Sequence, residues 1–452
     1  MTPAPDVRER VLSLLRRFGW NSTSFQVLEP GFSYWFSDDA CVAYVDTGRA
    51  WVAAGVPLAH ESELGGVARA FVASARENGR RALFFATEGR FHGARGFDSL
   101  LIGEQPLWDP RDWSKTLETV PSLREQLRRA RAKGVTVRRA AAEAVADPAS
   151  PDRKGLEKLI ERWTGTKPMP PMGFLVRVYP FSFPEERRVF LAERAGTLVG
   201  FAGVVPIYAR NGRFVEDLVR SPAAPNGTVE LLIDAAMRDA QAEGADYVTL
   251  GLAPLAGGVS FGLRLAGRYG SSLYDFAGLH AFKAKLRPRA WVPVYLSYPS
   301  ERTSHGAIYD SLTAFARGGI LRFGVETLLR GPVVVVRLLA LLLVPWTLLL
   351  ATANGERWFP APWVQWFWVT FDAAVCIALL ALSVRFRPWL ATLLLVLVTG
   401  DAIATLVEAA TLNALGERTL GELGVVFVAI LGPVLASVVL FNARRRMLRA
   451  ED

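Results

Sequence analysis

The sequence predicts an α/β protein with mixed sheets, followed by a transmembrane domain of four helices. Two observations support this. Short β-type runs alternate with helical ones as far as residue 299, and four apolar stretches, each about the length that crosses a bilayer, follow residue 330. Hydrophobic residues make up 51% of the 452 residues, and their excess lies almost entirely in those four stretches.

The N-terminal segment is predicted to be an amphipathic helix. Val7, Val11, Leu14 and Phe18 recur at helical spacing, and arginines occupy the other faces. The segment has no continuous hydrophobic run and no small-residue cleavage site, so no secretory signal is predicted and the chain is expected to begin in the cytoplasm.

Two cycles of strands and helices follow. In the first, residues 41–48 and 50–57 are predicted strands, a helix ends at Gly79, and residues 81–87 form another strand. The second cycle begins near Pro121. Its predicted elements are a basic helix, a helix at 156–163, strands at 188–196, 198–209 and 213–221, a helix at 228–243 and a strand at 247–253.

The basic helix of the second cycle is a candidate binding surface for phosphate groups. Residues 121–139 contain seven cations and a single acid, Glu125. Helical spacing places Arg124, Arg128 and Arg131 in one outward stripe, where like charges repel. Phosphates of RNA or of lipid headgroups would relieve that repulsion. The alternative is a solvated helix face with no ligand.

The stretch from Glu216 to Gly227 contains a second group of candidates. Asp217 and Arg220 end a predicted strand, and their spacing alone is equally typical of a structural ion pair. Asn226 and Gly227 form a turn before the next helix, whose free backbone N–H groups suit a phosphate or a carbonyl oxygen. No pyrophosphate loop of the acetyltransferase type occurs at this turn, which argues against acetyl-CoA as the donor.

Residues 275–285, DFAGLHAFKAK, form the most specific motif. Together with 216–237 and 247–299, this motif resembles the catalytic domain of bacterial phosphatidylglycerol lysyltransferases and alanyltransferases. The resemblance implies two tandem acetyltransferase-like folds, at 1–120 and 121–299, and transfer of an amino acid, lysine or alanine, from aminoacyl-tRNA to the hydroxyl group of an anionic phospholipid such as phosphatidylglycerol. The catalytic candidates that it implies are Asp217, Arg220, Glu230, Lys283 and Lys285. The substrate-binding candidates are Arg124, Arg128, Arg131, Asn226, Gly227, Gly278 and His280.

The chain departs from the family pattern at three places. His280 stands where the family usually has arginine, and Val56 replaces an aspartate of the first fold. Residues 172–181, MGFLVRVYPF, follow the substrate loop of the family only loosely. Three hypotheses therefore stay open at this point: the tRNA-dependent transferase, an acyl-CoA-dependent or peptidoglycan-type acyltransferase of the same fold, and a lipid-binding or transport protein without catalysis.

No cofactor, metal or disulfide is predicted. The four histidines and two cysteines form no cluster with zinc spacing. Cys41 lies in the soluble part and Cys376 in a predicted span, which fits a reducing compartment. The net charge of +9 favours anionic partners such as RNA or phospholipid headgroups.

Residues 300–330 are predicted to be a connector, residues 331–443 the membrane domain and residues 444–452 a basic tail. Arginines flank the spans on one side, so the positive-inside rule places the N-terminal region and the tail in the cytoplasm, at the bacterial inner membrane. Asp372, Asp401 and Glu408 lie within the spans. They are interpreted either as a path for protons or lipid headgroups or as interhelical hydrogen-bonding groups.

Overall fold

The computed structural model describes residues 5–167, 169–270, 274–316, 319–330, 332–384, 387–413 and 420–451. The chain divides into two compact units. The first consists of residues 1–166 and 171–320, and the second of residues 167–170 and 321–452.

A single twelve-stranded sheet runs through the first unit. Its strands are β1 (Ser33–Ser37), β2 (Ala40–Asp46), β3 (Ala50–Ala54), β4 (Arg81–Thr87), β5 (Phe97–Trp108), β6 (Val135–Arg139), β7 (Arg188–Arg194), β8 (Thr197–Ile207), β9 (Gly212–Arg220), β10 (Tyr247–Thr249), β11 (Ala253–Pro254) and β12 (Ala290–Pro299). The strand order is β1-β2-β3-β4-β12-β5-β10-β9-β8-β7-β6, and β11 pairs with β5.

The helices of the first unit cover both faces of this sheet. They are α1 (Pro5–Phe18), α2 (Leu64–Glu77), α3 (Trp113–Thr119), α4 (Pro121–Ala132), α5 (Ala142–Ala146), α6 (Pro151–Gly165), α7 (Thr228–Ala242), α8 (Phe261–Gly270), α9 (Phe276–Lys285) and α10 (Ser304–Phe315). The predicted N-terminal helix is confirmed as α1, and its Val11, Leu14 and Leu15 are buried in the core.

The two halves of the sheet repeat one arrangement. In each half three antiparallel strands are followed by a helix and then by a strand that pairs in parallel with the third: β1-β2-β3-α2-β4 and β7-β8-β9-α7-β10. A parallel pair requires a long crossover connection, which α2 and α7 provide. The predicted mixed α/β sheet is therefore confirmed.

Strand β12 joins the two halves. It pairs with β4 on one side and along its whole length with β5 on the other, although it follows the second half in sequence. Strand β5 also pairs with β10 of the second half. The sheet consequently has no break at the predicted boundary at residue 120, because backbone hydrogen bonds continue across it.

Part of the predicted connector belongs to the first unit. Helix α10 packs on β3 and β12, and its Asp310 is 1% exposed. The Asp310 carboxylate accepts hydrogen bonds from Arg81 at 2.6 Å and from Arg302 at 2.7 Å. These bonds cross-link the helix to the sheet, so residues 304–315 do not form a separate linker.

The second unit is mostly helical. Its helices are α11 (Ile320–Arg330, whose first residue belongs to the first unit), α12 (Pro332–Thr352), α13 (Gly355–Trp358), α14 (Pro362–Val384), α15 (Pro388–Glu408) and α16 (Leu420–Glu451). Three apolar helical stretches among the described residues are long enough to span a membrane: Pro362–Val384, Pro388–Thr411 and Leu423–Asn442. The described apolar stretch Val336–Thr352 is shorter, so the first predicted span stays a prediction.

The surface of this second unit is suited to lipid. Trp363, Ile377 and Val384 are 72%, 68% and 83% exposed, although the helices are among the most apolar parts of the chain. Large exposed apolar side chains around a helical bundle are typical of contact with hydrocarbon. This bundle of helices is therefore consistent with a membrane protein.

Candidate functional site

A buried cluster of charged side chains lies at the centre of the first unit. The Arg187 side chain is 1% exposed and donates hydrogen bonds to Glu29, at 2.6 Å, and to Glu216. Asp217 is 5% exposed and acts electrostatically on the same guanidinium. Ser182 donates a hydrogen bond to Glu29. Three carboxyl groups thus surround one guanidinium that is almost inaccessible to solvent.

Local backbone geometry creates the space for these acids. Strand β9 bulges at Glu216, since Gly203 pairs with Asp217 while Val204 pairs with Val215. A β-bulge turns neighbouring side chains away from strict alternation. A Cβ on Gly203 would lie only 3.1 Å from Oδ2 of Asp217, so glycine leaves room for the carboxyl group above the sheet.

The cluster lacks sufficient positive charge. Oε2 of Glu29 and Oδ2 of Asp217 are buried without a hydrogen-bond partner. Burial, reinforced by the negative charge of Glu216, raises the pKa of Asp217 well above its usual value. Burial also raises the pKa of Glu29, although Arg187 opposes that shift. Buried carboxyl groups in this condition favour a bound proton or a bound cation.

A cleft of about 450 Å³ opens beside this cluster. Glu29 and Glu216 line it, and Phe32 and Phe174 form an aromatic wall with ring centroids 5.9 Å apart. Asp46 and Arg177, of opposite charge, also line the cleft. The cleft therefore combines an apolar wall with a negatively charged end, which suits a ligand that has both an ammonium group and a carbon chain.

The sequence carries little signal for most of this site. Glu29, Arg187 and Ser182 belong to no motif, because an isolated acid or arginine beside an apolar run is typical of a protein surface. Arg177 and Phe174 lie in residues 172–181, which follow the substrate loop of the family only loosely, and Asp217 is a candidate through the family resemblance alone. The adjacent pair Glu216 and Asp217 is a further signal, because it breaks the alternation of a half-buried strand.

The structure does not bring Asp217 and Arg220 together. They are three positions apart on β9, so strand alternation places them on opposite faces of the sheet. Asp217 faces the buried cluster, whereas Arg220 is exposed at the end of the strand. The structural ion pair considered from the sequence is not formed either.

Glu230 and Lys285 form a pair on the α7 side of the sheet. Nζ of Lys285, on α9, lies 3.2 Å from Oε1 of Glu230 in the first turn of α7. The side chains are 34% and 10% exposed, respectively. The pair links the start of α7 to the end of α9, and it is separate from the cluster around Asp217.

Lys283 occupies a different environment from the one predicted. Its residue is 4% exposed, and Nζ donates hydrogen bonds to the carbonyl oxygens of Leu250, Gly251 and Leu252 at 2.8, 2.9 and 2.9 Å. The expectation of a cation open to a cleft is wrong for this residue, because the ammonium group holds the loop after β10. Burial lowers the pKa of Lys283 to about 7.

The remaining residues of the 275–285 motif shape α9. Asp275 accepts a hydrogen bond from the Gly278 amide at 2.8 Å and caps the helix. A Cβ on Gly278 would lie 2.1 Å from the Asp275 carboxylate, which explains the glycine. His280 lies 3.1 Å from Glu104 and packs on Trp291, with ring centroids 4.5 Å apart.

The arginines of α4 are each bound within the protein. Arg124 donates to the carbonyl oxygens of Leu117 and Glu118, and Arg128 forms two hydrogen bonds with Glu125 at 2.7 and 2.8 Å. Glu125, which also pairs with Arg129, therefore compensates part of the like-charge repulsion predicted along this stripe. The guanidinium of Arg128 still faces solvent, since its side chain is 69% exposed.

Arg131 has a structural role. It binds Asp234 of α7 at 2.9 Å, and the Asp234 side chain is 3% exposed. The same carboxylate also accepts hydrogen bonds from Trp113 and Arg238. Arg131 therefore cross-links α4 to α7.

Asn226 and Gly227 lie where α7 begins, next to α4. Asn226 is exposed, and Gly227 has a φ of 94°. A Cβ on Gly227 would lie 2.3 Å from the carbonyl oxygen of Gln126, so only glycine permits this close approach of the two helices.

Among the residues described here, no group of three or more side chains has the composition of a metal site.

Comparisons with known proteins agree with this architecture. Residues 12–298 match the family model described as "Phosphatidylglycerol lysyltransferase, C-terminal". The chain belongs to this family. The match covers nearly all of the first unit and ends at residue 298, within β12, so the family domain includes both halves of the sheet.

The individual members of this phosphatidylglycerol lysyltransferase family that match the chain are distant from it in sequence. The phosphatidylglycerol lysyltransferase of Bacillus subtilis is 26% identical over 313 residues, which are 65% of this chain and 35% of the relative. The lysylphosphatidylglycerol biosynthesis bifunctional protein LysX of Mycolicibacterium vanbaalenii is 25% identical over 224 residues, 46% of this chain and 19% of the relative. The chain thus spans about a third or less of these curated relatives.

Solved structures of relatives share the fold. The structure of L-PGS from Bacillus licheniformis aligns with a TM-score of 0.59 and 23% identity, covering 70% of this chain and 98% of that one. The C-terminal domain of a putative lysylphosphatidylglycerol synthetase from Agrobacterium fabrum aligns with a TM-score of 0.56 and 24% identity, covering 67% and 94%.

Proposed function

We propose that this protein transfers an amino acid, lysine, from aminoacyl-tRNA to the hydroxyl group of phosphatidylglycerol at the inner face of the bacterial cytoplasmic membrane. Membership of the lysyltransferase family supports the reaction class. The three helices of membrane length support a location at the lipid substrate.

The observation that carries the proposal is the excess of buried acid beside the cleft. Glu29, Glu216 and Asp217 surround Arg187, and two of their oxygen atoms have no hydrogen-bond partner. Arg177, which lines the cleft, also acts electrostatically on Glu29. When all three acids are ionised, they exceed these two arginines by one negative charge, which the ammonium group of an aminoacyl ester would balance. We propose lysine over alanine because the matching family and relatives are named for lysyl transfer.

The same charge distribution argues against an acyl-CoA donor. The pyrophosphate of coenzyme A is anionic and would lie close to uncompensated carboxylates. The aminoacyl group has the opposite charge at the corresponding position. The tRNA phosphates are proposed to lie on the exposed arginines of α4, such as Arg128, at a distance from the acids.

The reaction is an exchange between two esters. The oxygen of the lipid hydroxyl forms a bond with the carbonyl carbon of the aminoacyl ester, and the bond between that carbon and the ribose oxygen breaks. The hydroxyl proton passes to a base and then to the ribose oxygen. Because the starting ester is already activated, positioning and proton transfer provide the catalysis, and no further energy source is required.

We assign the base to Asp217. Burial and the charge of Glu216 raise its pKa and so favour its protonated form in the empty site, whereas a bound ammonium group would favour its ionised form by opposing the charge of Glu216. Substrate binding would thus generate the base where it is needed. Glu230 is the weaker candidate, because Lys285 already binds its carboxylate.

The test uses the full chain in vesicles that contain phosphatidylglycerol. Lysyl-tRNA and alanyl-tRNA are supplied separately, and lipid products are identified by mass spectrometry. We expect lysyl-phosphatidylglycerol from lysyl-tRNA, and we expect its formation to stop after ribonuclease treatment. Glu29→Gln should reduce it strongly. Glu193→Gln provides the matched control, because Glu193 pairs with Arg138 away from the cleft.

Two outcomes would reject the proposal. One is lipid modification that continues after ribonuclease treatment when free lysine and ATP are supplied, which would show another donor. The other is equal transfer from both aminoacyl-tRNAs by the wild-type protein and by the Glu29→Gln variant, which would show that the acids do not select the amino acid.

A further inference from the structure

The second unit contains a carboxyl group in its interior that the transfer reaction does not use. Asp372 lies on α14 and is 7% exposed. It falls on the same helical stripe as Val375, Leu379 and Leu382, which form the apolar core of the bundle. The Asp372 side chain therefore points between the helices and not toward lipid.

Asp372 lies near the middle of its span. It is ten residues from the start of α14 at Pro362 and twelve from its end at Val384. At 1.5 Å per residue, this places it about 15 Å from either end, close to the centre of a hydrocarbon core about 30 Å thick. A charged group is costly at that depth unless it is paired or neutralised.

The charged neighbour of Asp372 among the described residues is another acid. Asp401 on α15 acts electrostatically on Asp372, and α15 packs against α14. Within the described part of the chain, Asp372 has no hydrogen-bond partner. Two like charges held together in an apolar interior cannot both remain ionised, so a proton is the simplest ligand that stabilises the pair.

The described basic side chains near these helices bind other groups. Arg337 on α12 donates to Ser383, eleven residues beyond Asp372 on α14. Arg444 on α16 donates to Thr392, nine residues before Asp401 on α15. At 1.5 Å per residue, each contact lies more than about 13 Å along the helix from the acids. Neither arginine neutralises the acid pair.

Polar groups extend from the pair to one end of the bundle. The hydroxyl of Thr405 donates to Asp401 at 3.2 Å, one helical turn along α15. Glu408 ends α15, acts electrostatically on Asp401 and accepts a hydrogen bond from Trp368 at 3.4 Å. Asp401 and Glu408 are seven residues apart, so they lie on one face of the helix about 10 Å from each other.

We propose that Asp372 and Asp401 form a proton-binding site at the centre of the C-terminal bundle, and that Glu408 and Thr405 connect it to the surface at the end of α15. One of the two carboxyl groups holds the proton, which removes one of the two like charges. The site is separate from the proposed aminoacyl transfer, which is assigned to the first unit.

The test measures labelling by dicyclohexylcarbodiimide, which reacts with protonated carboxyl groups in apolar surroundings. The full chain is reconstituted in vesicles, labelled over a range of pH and analysed by peptide mass spectrometry. We expect an adduct on Asp372 or Asp401 that decreases about tenfold for each pH unit above its midpoint. Asp310, which binds two arginines, is the matched carboxyl control and should stay unlabelled.

Two isosteric variants examine the pair. Asp372→Asn should abolish labelling at that position. Asp401→Asn should shift the midpoint for Asp372 to lower pH, because the neighbouring negative charge that favours the proton is removed. Both variants should retain lipid aminoacylation, which shows that they fold.

Three results would overturn the proposal. The first is the absence of an adduct on both acids at every pH. The second is an unchanged midpoint in Asp401→Asn, which would show that the two carboxyl groups do not interact. The third is suppression of labelling by sodium ions at constant pH, which would show a metal-cation site in place of a proton site.

Discussion

Asp217, the base of the proposed reaction, has a buried carboxyl group that lowers the stability of the folded protein. Its pKa is raised in the folded protein, so the folded state holds a proton that the unfolded chain releases at lower pH. Its contribution to stability is therefore fully present below the unfolded pKa and is lost as the pH rises through the folded pKa. At neutral and alkaline pH, Asp217 therefore destabilises the folded protein.

We expect Asp217→Asn to reduce lipid aminoacylation by about 100-fold or more, the usual effect of losing a general base. The same substitution should raise the free energy of unfolding at pH 8 by about 1 kcal/mol, because a neutral amide of similar shape removes the pH-dependent cost of burying the carboxyl group. Activity assays and thermal unfolding between pH 5 and pH 9 check both effects. A lower stability at pH 8 than in the wild type would contradict the assignment of a strained, uncompensated carboxyl group.

Lys283 illustrates the opposite case, a charged group with a structural function. The three carbonyl oxygens that it binds match the three N–H donors of an ammonium group. Its pKa is lowered to about 7, so deprotonation near neutral pH removes one donor. The surrounding loop is expected to loosen as the pH rises through about 7.

We expect Lys283→Met to lower the free energy of unfolding by about 2 to 4 kcal/mol, since it leaves buried carbonyl groups without a partner. The matched control is Lys285→Met, two residues away, which removes one partly exposed pair with Glu230 and should cost less than about 1 kcal/mol. Thermal unfolding followed by tryptophan fluorescence compares the two. Equal losses would show that the Lys283 hydrogen bonds contribute no special stability.

At the residue scale, the sequence showed which residues belong to a motif, but it did not show what surrounds each of them in the folded protein. The motif at 275–285 identified Lys283 and Lys285 together, but it could not distinguish a buried lysine from an exposed one two positions later. That difference depends on the carbonyl groups of residues 250–252, which the fold brings to α9. Glu29 and Arg187 were not predicted for the same reason, because they lie 158 positions apart in sequence and meet only in the tertiary structure.

At the scale of elements, two arginines of helix α4 lie in different environments that the sequence did not distinguish. Arg131 is fixed to the buried Asp234 of α7, whereas Arg128 contacts only the exposed Glu125 of its own helix among the described groups. The first arginine serves packing of α4 on α7. The second is available to exchange its partner for a phosphate group.

We expect Arg128→Ala to weaken tRNA binding and to reduce the slope of log affinity against log salt by about one, with little change in stability. Arg131→Ala should lower the melting temperature, because it leaves a buried carboxylate with fewer donors. Binding titrations at several salt concentrations, together with thermal unfolding, separate the two effects. An unchanged salt slope in Arg128→Ala would contradict tRNA binding at this helix.

Strand and helix types were largely predictable, whereas strand order was not. Local periodicity identified β2, β3, β4 and α2 because each has a clear alternation or helical face. The position of β12 between β4 and β5 has no local signal, since its partners lie nearly 200 residues earlier. The sequence likewise contains no local signal for the strand pairing that continues across the boundary predicted at residue 120.

At the scale of the whole molecule, the chain combines a family domain with an apolar helical unit that lies outside the family match. The match ends at residue 298, and the three helices of membrane length all follow residue 361. The sequence predicted this division from hydropathy alone, because long apolar helices are the strongest signal in any sequence. It predicted four spans, and three of them match helices of membrane length among the described residues.

The number of spans determines on which side of the membrane the chain ends. With α12, α14, α15 and α16 all crossing, the number is even, and the first unit and the C-terminal tail lie on the same side. With three crossings they lie on opposite sides. Arginines near both ends favour the cytoplasm for each, so we expect four spans.

Single cysteines at exposed sites provide the measurement in a Cys376→Ser background, because the remaining native Cys41 is buried. Ala73→Cys on α2 reports the first unit, and a cysteine appended after Asp452 reports the tail. In intact cells, a membrane-impermeant thiol reagent should leave both unlabelled, and lysis should make both reactive. Labelling of the tail alone in intact cells would establish an odd number of crossings and would show that α12 lies outside the membrane.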